Sequence, residues 1–173
     1  MGARFLISSQ TLASSAATVT FSSIPATYTD LVLRCSIRRA ATSNQSTDLK
    51  ITFNADTATN YSKTSIEGSG ATASSTRQTS QTAQFFLDLT AGSVSTANTF
   101  SSFEMYLPNY TSTSNRPLSG FGANENNTTT AYLVGQAGLY RGTSAISSIE
   151  IGQPSTGSFD TTSSFYLYGI KNT

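Results

Sequence analysis

Asp30-Leu31-Val32-Leu33-Arg34-Cys35-Ser36-Ile37-Arg38-Arg39 alternates more cleanly than any other stretch of the chain. Leu31, Leu33, Cys35 and Ile37 fall on one side of an extended strand, and Arg34, Ser36 and Arg38 on the other; only Val32 breaks the pattern. A strand with one dry face needs a second apolar surface against that face and further strands along both edges. The rest of the sequence is read as supplying both.

On either side of this stretch the period of two recurs. Phe5 and Ile7 mark a strand over 4–12, Val19 and Phe21 one over 16–21, and Pro25 a connection that cannot donate to a ladder. Leu49, Ile51 and Phe53 alternate over 48–54, which reads as an antiparallel neighbour of the opening strand. A weaker strand follows over 61–67. Residues 68–82 are small and polar and read as a long exposed loop. In 83–89, Phe85, Leu87 and Leu89 are placed inward and Phe86 outward.

Residues 99–107 carry Phe103, Met105 and Leu107 inward, with Glu104 and Tyr106 outward. Further strands are expected over 115–122, 130–140 (with both faces covered), 145–151 and 163–170. The polar segments 40–47 and 124–127 read as a loop and a turn. No helical period lasts three turns, and no repeat of 20 to 50 residues is visible. About ten short strands separated by turns predict an all-β fold, an antiparallel β-sandwich of jelly-roll type, as one domain over residues 1–173.

Composition narrows the chemistry. Charged residues make up 11 % of the chain and the net charge is +1, too weak a field to gather nucleic-acid phosphates. Arg34, Arg38 and Arg39 are the one basic cluster and read as outward solubility charges. Cys35 is the sole cysteine, so no intrachain disulfide forms, and its inward place predicts a buried, inert thiol. The apolar run at Phe5-Leu6-Ile7 is too short for a signal peptide, and no segment approaches the ~20 apolar residues of a membrane span. Synthesis in a cytoplasm is expected, with no nucleic-acid and no membrane partner.

The chain has no histidine, which removes the commonest general base and metal ligand. Asp88, Glu104 and Glu150 could in principle form a glycosidase pair, but each alternates with inward residues and reads as a solvated outward charge. Asp56 with Asn54 and Asn60 offers oxygen ligands for calcium but a single carboxylate, so a side-chain-stabilised turn is the expected reading. The sequons at Asn44, Asn60, Asn109, Asn126 and Asn127 read as loop asparagines. No catalytic residue, cofactor or metal is expected, and the chain does not read as an enzyme.

The aromatics point elsewhere. Phe86 and Tyr106 are placed on outward faces, and Tyr166 and Tyr168 share a face opposite Phe165 and Leu167, so these four are the candidate interface residues. Aromatic side chains anchor protein interfaces well, and tyrosines also stack on sugar rings.

Several segments together resemble a group of small β-rich virion proteins of tailed bacteriophages. The residues that carry the resemblance are Phe21-Ser22-Ser23-Ile24-Pro25-Ala26-Thr27-Tyr28-Thr29-Asp30-Leu31, Phe53-Asn54-Ala55-Asp56-Thr57-Ala58-Thr59-Asn60-Tyr61-Ser62, Tyr106-Leu107-Pro108-Asn109-Tyr110, Glu125-Asn126-Asn127-Thr128-Thr129-Thr130-Ala131-Tyr132 and Phe165-Tyr166-Leu167-Tyr168-Gly169-Ile170. The resemblance implies a virion structural protein, foremost a capsid decoration or cement protein that stabilises the head. Its implied partners are other virion proteins, the major capsid protein above all, and further copies of the chain, with a trimer as the family's pattern. The alternative is a tail or fibre module that binds host-surface glycans through tyrosine platforms.

Overall fold

The computed structural model describes residues 2–40, 46–127, 131–154 and 157–172. Twelve strands and no helix occur among them: β1 (Ala3–Thr11), β2 (Val19–Phe21), β3 (Asp30–Ile37), β4 (Ser46–Phe53), β5 (Tyr61–Ser69), β6 (Thr72–Gln81), β7 (Gln84–Ala91), β8 (Ser101–Leu107), β9 (Arg116–Asn124), β10 (Tyr132–Tyr140), β11 (Ile149–Gly152) and β12 (Ser164–Lys171). They form an eight-stranded sheet in the order β1-β12-β3-β8-β9-β10-β5-β6 and a four-stranded sheet in the order β2-β11-β4-β7. The expected all-β sandwich with antiparallel sheets is what the chain forms. Of the eight strands β1 to β4, β7, β8, β11 and β12, each passes to the other sheet from the one before it except β7, which pairs with β4 in the smaller sheet, while the β5–β6 and β9–β10 pairs lengthen the larger sheet at one end.

β3 lies between β12 and β8, with Leu33 opposite both Leu167 and Met105. Leu31, Leu33, Cys35 and Ile37 are all buried, and from the facing sheet Leu49, Ile51, Phe53, Ile149 and Ile151 close the core. Each such side chain contributes about 1.5–3 kcal/mol by leaving water. Val32, the residue out of pattern, stands on the outer face yet is 1 % exposed. Its cross-strand neighbours there are Tyr168 and Tyr106.

Several expectations need correction. β4 does not pair with β3: it crosses into the smaller sheet, between β11 and β7. Alternation fixes which side chains point inward but does not say in which sheet they do so. The supposed loop over 68–82 is mostly the edge strand β6, hairpinned onto β5 through Gly70 at φ 56°. Its Ser and Thr side chains lie exposed on both faces, so no apolar period marks it, although threonine favours extended backbone. β10 is not covered on both faces, since Leu133 is 51 % exposed. The loop expected over 40–47 and the sequon at Asn44 fall largely outside the described residues.

Phe86 is the largest correction, for it is fully buried rather than outward. β7 carries an irregularity opposite Thr47–Leu49, and Asp88 sits in the left-handed region at φ 49°. Residues 87–89 of β7 stand against Asp48 alone, and these two extra residues turn both Phe86 and Leu89 toward the core, with Phe85 and Leu87 half-buried. Opposite them, β9 presents glycines. A Cβ at Gly120 would lie 2.2 Å from the Phe86 ring, and one at Gly122 would lie 2.5 Å from Leu89. Two glycines two apart on one strand face thus make the hollow into which β7 is pressed.

Candidate interaction face

The outward side of the larger sheet is built by strand register. One row across it runs Tyr168, Val32, Tyr106, Ser119, Ala137, Thr64, and the next runs Tyr166, Arg34, Glu104, Phe121, Gly135, Ile66. The face therefore has a tyrosine-rich half on β12, β3 and β8 and a second half on β9, β10 and β5. Tyr166 and Tyr168 stack with ring centroids 6.5 Å apart and planes 22° apart. Tyr106, 36 % exposed, donates its hydroxyl to Asp30 Oδ2 at 2.8 Å. Three of the four expected interface residues thus share one face; Phe86 belongs to the core and has no part in it.

The other half holds residues that pattern reading passed over. Ile66, Phe121 and Leu133 are 66 %, 57 % and 51 % exposed, and they stand around a hollow of about 540 Å³ whose floor includes Gly68, Ala73 and Gly135. Gly135 lies opposite both Phe121 and Ile66, so the hollow exists because a glycine separates two bulky residues. Exposed apolar side chains gathered in one patch mark a contact surface more often than isolated ones do. A signal was present: Phe121 sits in the alternation Leu118, Gly120, Gly122 as the large residue of the opposite parity.

Within the tyrosine-rich half, Arg34 Nε donates to Glu104 Oε2 at 2.5 Å, with Arg4 Nη1 3.6 Å from the same oxygen. Glu104 is thus paired rather than free. Glu150 projects from the smaller sheet between two buried isoleucines, on the far side of the sandwich. Asp88 is half-buried and accepts from Ser46 Oγ at 2.5 Å. The three strand carboxylates therefore do not converge, and among the described residues no group of three or more His, Cys, Asp or Glu is placed to hold a metal.

The basic cluster also disperses. Arg38 is 7 % exposed, and its guanidinium donates to the carbonyls of Ser93, Ser95, Thr96 and Thr99, so the presumed surface charge is a buried clamp on the loop before β8. Arg39 is buried as well. Asp56 accepts from Ala58 N at 2.9 Å, Asn60 Nδ2 at 2.8 Å and Tyr140 OH at 3.1 Å, the expected turn. Burial raises the Asp56 carboxyl, but these hydrogen bonds outweigh it and leave the group below its ordinary value. Asn54 Oδ1 accepts from Ser147 N and Ser148 N, tying that turn to the segment that leads into β11.

Under β7 the interior turns polar, which the sequence did not announce. Lys63 is 3 % exposed and donates to the Phe85 carbonyl at 2.7 Å. Burial lowers its pKa, partly offset by Asp48 and Glu67, while burial raises both of those carboxyls. Cys35, in contrast, meets its expectation: it is buried, and desolvation alone pushes its thiol far up. No family model matches the chain, and neither a curated protein nor a solved structure matches it.

Proposed function

We propose that the protein is a structural component of a bacteriophage particle, a decoration or cement protein that packs on the capsid and stiffens contacts between major capsid subunits. The observation that carries this reading is the outer face of the larger sheet, where exposed aromatic and aliphatic side chains stand on a rigid scaffold bearing few charges to desolvate. The segmental resemblance to phage virion proteins supplies the setting. The strand order supports it too: β1-β12-β3-β8 in one sheet and β2-β11-β4-β7 in the other fit a jelly-roll winding with two inserted hairpins. On this reading the protein acts without a cofactor, is not an enzyme and resides in the virion.

Quantitative mass spectrometry of purified particles tests this. On the order of hundreds of copies per particle, as a symmetric shell requires, is the expected result; a few copies, or none, would overturn it. One observation favours a second reading, a tail or fibre module that binds host glycans. The stacked Tyr166 and Tyr168 make a flat platform of the kind sugar rings use. Low copy number together with glycan-array binding that is lost in Tyr166→Ala would establish that alternative.

A further inference from the structure

We propose that the outer face of the eight-stranded sheet is covered by the same face of a second copy of this chain, related by a two-fold axis parallel to the strands between β8 and β9. The inference rests on the reading of this face as a packing surface and names its partner.

Three observations carry it. The first is area. Eight strands about 4.8 Å apart, over roughly six residues of about 3.4 Å each, give a face of about 800 Å², which is what one side of a standard interface buries. The apolar patch around Phe121, by itself, is smaller than that, so a stable partner must span both halves of the face.

The second is size. Because the axis reverses strand order, β12 of one copy lies over β5 of the other, β3 over β10 and β8 over β9. In the first row this sets Tyr168 against Thr64, Val32 against Ala137 and Tyr106 against Ser119, large against small in each case. In the second row Tyr166 meets Ile66 at the lip of the hollow, Arg34 lies over Gly135 at its floor, and Glu104, held by Arg34, lies over the edge of Phe121. In the first row the tyrosine half is thus matched in size to the other half of the same surface, as an isologous contact requires.

The third is charge. With this axis Arg34 and Glu104 of the two copies are displaced across β8 and β9, and each keeps its own ion-pair partner. An axis perpendicular to the strands, in the plane of the face and passing through this row, would instead set Arg34 against Arg34 and Glu104 against Glu104. Like charges opposed in a drying interface are unfavourable, so charge disfavours that axis and is compatible with the one along the strands.

Sedimentation velocity of the purified chain over a wide concentration range is the first test, with a dimer expected. Gly135→Phe fills the hollow from outside, where an added Cβ meets only Ile66 atoms at 3.5 Å or more, and it is expected to raise the dimer dissociation constant at least tenfold. Ile66→Ser, at an exposed position, is a second variant with the same expectation, and circular dichroism checks that both remain folded. The axis is read by a short bis-maleimide: Tyr166→Cys protein mixed with Ile66→Cys protein cross-links, while Tyr166→Cys protein alone does not, because its two thiols would be about 24 Å apart across five strand spacings. Cys35, buried, does not compete. A monomer at every concentration, a trimer, a dimer indifferent to Gly135→Phe and Ile66→Ser, or efficient cross-linking of Tyr166→Cys alone would each overturn the proposal. The virion reading is scored separately by particle copy number, so a monomeric protein found in high copy on particles would sink this inference and leave that one standing.

Discussion

The Tyr106 hydroxyl donates to Asp30 Oδ2 at 2.8 Å, joining the last outward residue of β8 to the first residue of β3. Asp30 is 3 % exposed and also accepts from Asn109 N at 3.0 Å and Asn172 Nδ2 at 3.1 Å. One carboxylate thus closes β3, the turn after β8 and the segment after β12. Asp30→Ala leaves those donors unsatisfied and should cost about 2–4 kcal/mol, whereas Tyr106→Phe removes one bond and should cost about 1 kcal/mol. Urea unfolding of the two variants checks the ranking, and equal losses would show that the tyrosine is the dominant partner.

Phe86 packs edge-on against Phe103 with ring centroids 4.7 Å apart and lies over Gly120. Phe86→Ala is expected to lose about 3–5 kcal/mol of stability. Gly120→Ala should lose about 1–3 kcal/mol by overpacking, since its methyl would overlap the ring. The pair Gly120→Ala with Phe86→Leu should be less damaging than the sum of the singles. Strict additivity in denaturant melts would mean that the ring does not seat on the glycine.

The reading of β3 succeeded because a strand with one dry face writes its geometry in a period of two. The same rule misplaced Phe86, since a bulge lengthens one strand against its neighbour without changing composition, and Asp88 at positive φ has no apolar signature. It also overlooked β6, whose faces are both wet, and it could not tell the sheet of β4 from that of β3. Of the face, Tyr106, Tyr166 and Tyr168 were legible from parity alone. The hollow was not, because Ile66, Phe121 and Gly135 lie on three strands and meet only through register.

Alkaline titration should separate the tyrosines. Burial raises Tyr61, Tyr106, Tyr110 and Tyr140, with Asp56 adding to burial at Tyr140 and taking it to about 12. A phenol whose folded pKa lies above its unfolded value near 10 stabilises the fold fully below that value, and the gain is lost as pH rises through the folded pKa. The protein should therefore lose stability between about pH 10 and 12, and the ultraviolet phenolate signal should rise in a late, cooperative step. A single early step for all eight tyrosines would contradict the buried placements.

At the acid end Asp56 and the pair Asp48 and Glu67 act in opposite directions. Asp56 is held below its ordinary value, so its contribution is present above the unfolded pKa near 4 and is lost as pH falls through the folded one. Asp48 and Glu67 are raised, chiefly by burial, so the fold is relieved of a cost as they take up protons. Asp56→Asn should flatten the acid arm of the stability curve. Asp48→Asn should raise stability at pH 7 relative to pH 4. Urea midpoints at the two pH values check both, and a wild-type-like acid arm in Asp56→Asn would remove Asp56 from the account.

Arg38 supplies the sharpest contrast between a sequence charge and a structural one. Its guanidinium donates to Thr99 O at 2.8 Å, Ser93 O at 3.0 Å, Thr96 O at 3.1 Å and Ser95 O at 3.2 Å, while Asp160 Oδ2 lies 3.9 Å from its Nε. Four carbonyls on one planar fork cannot be served by an ammonium with three donors at the end of a flexible stem. Arg38→Lys should therefore behave as a loss and not as a conservative exchange, costing about 2–4 kcal/mol as buried carbonyls go unmatched. Its effect should be local: hydrogen exchange should quicken over 92–100 while β3 remains protected. If Arg38→Lys melts like the wild type and exchange in that loop is unchanged, the loop is held by its own turns, and the arginine is a buried charge without a structural task.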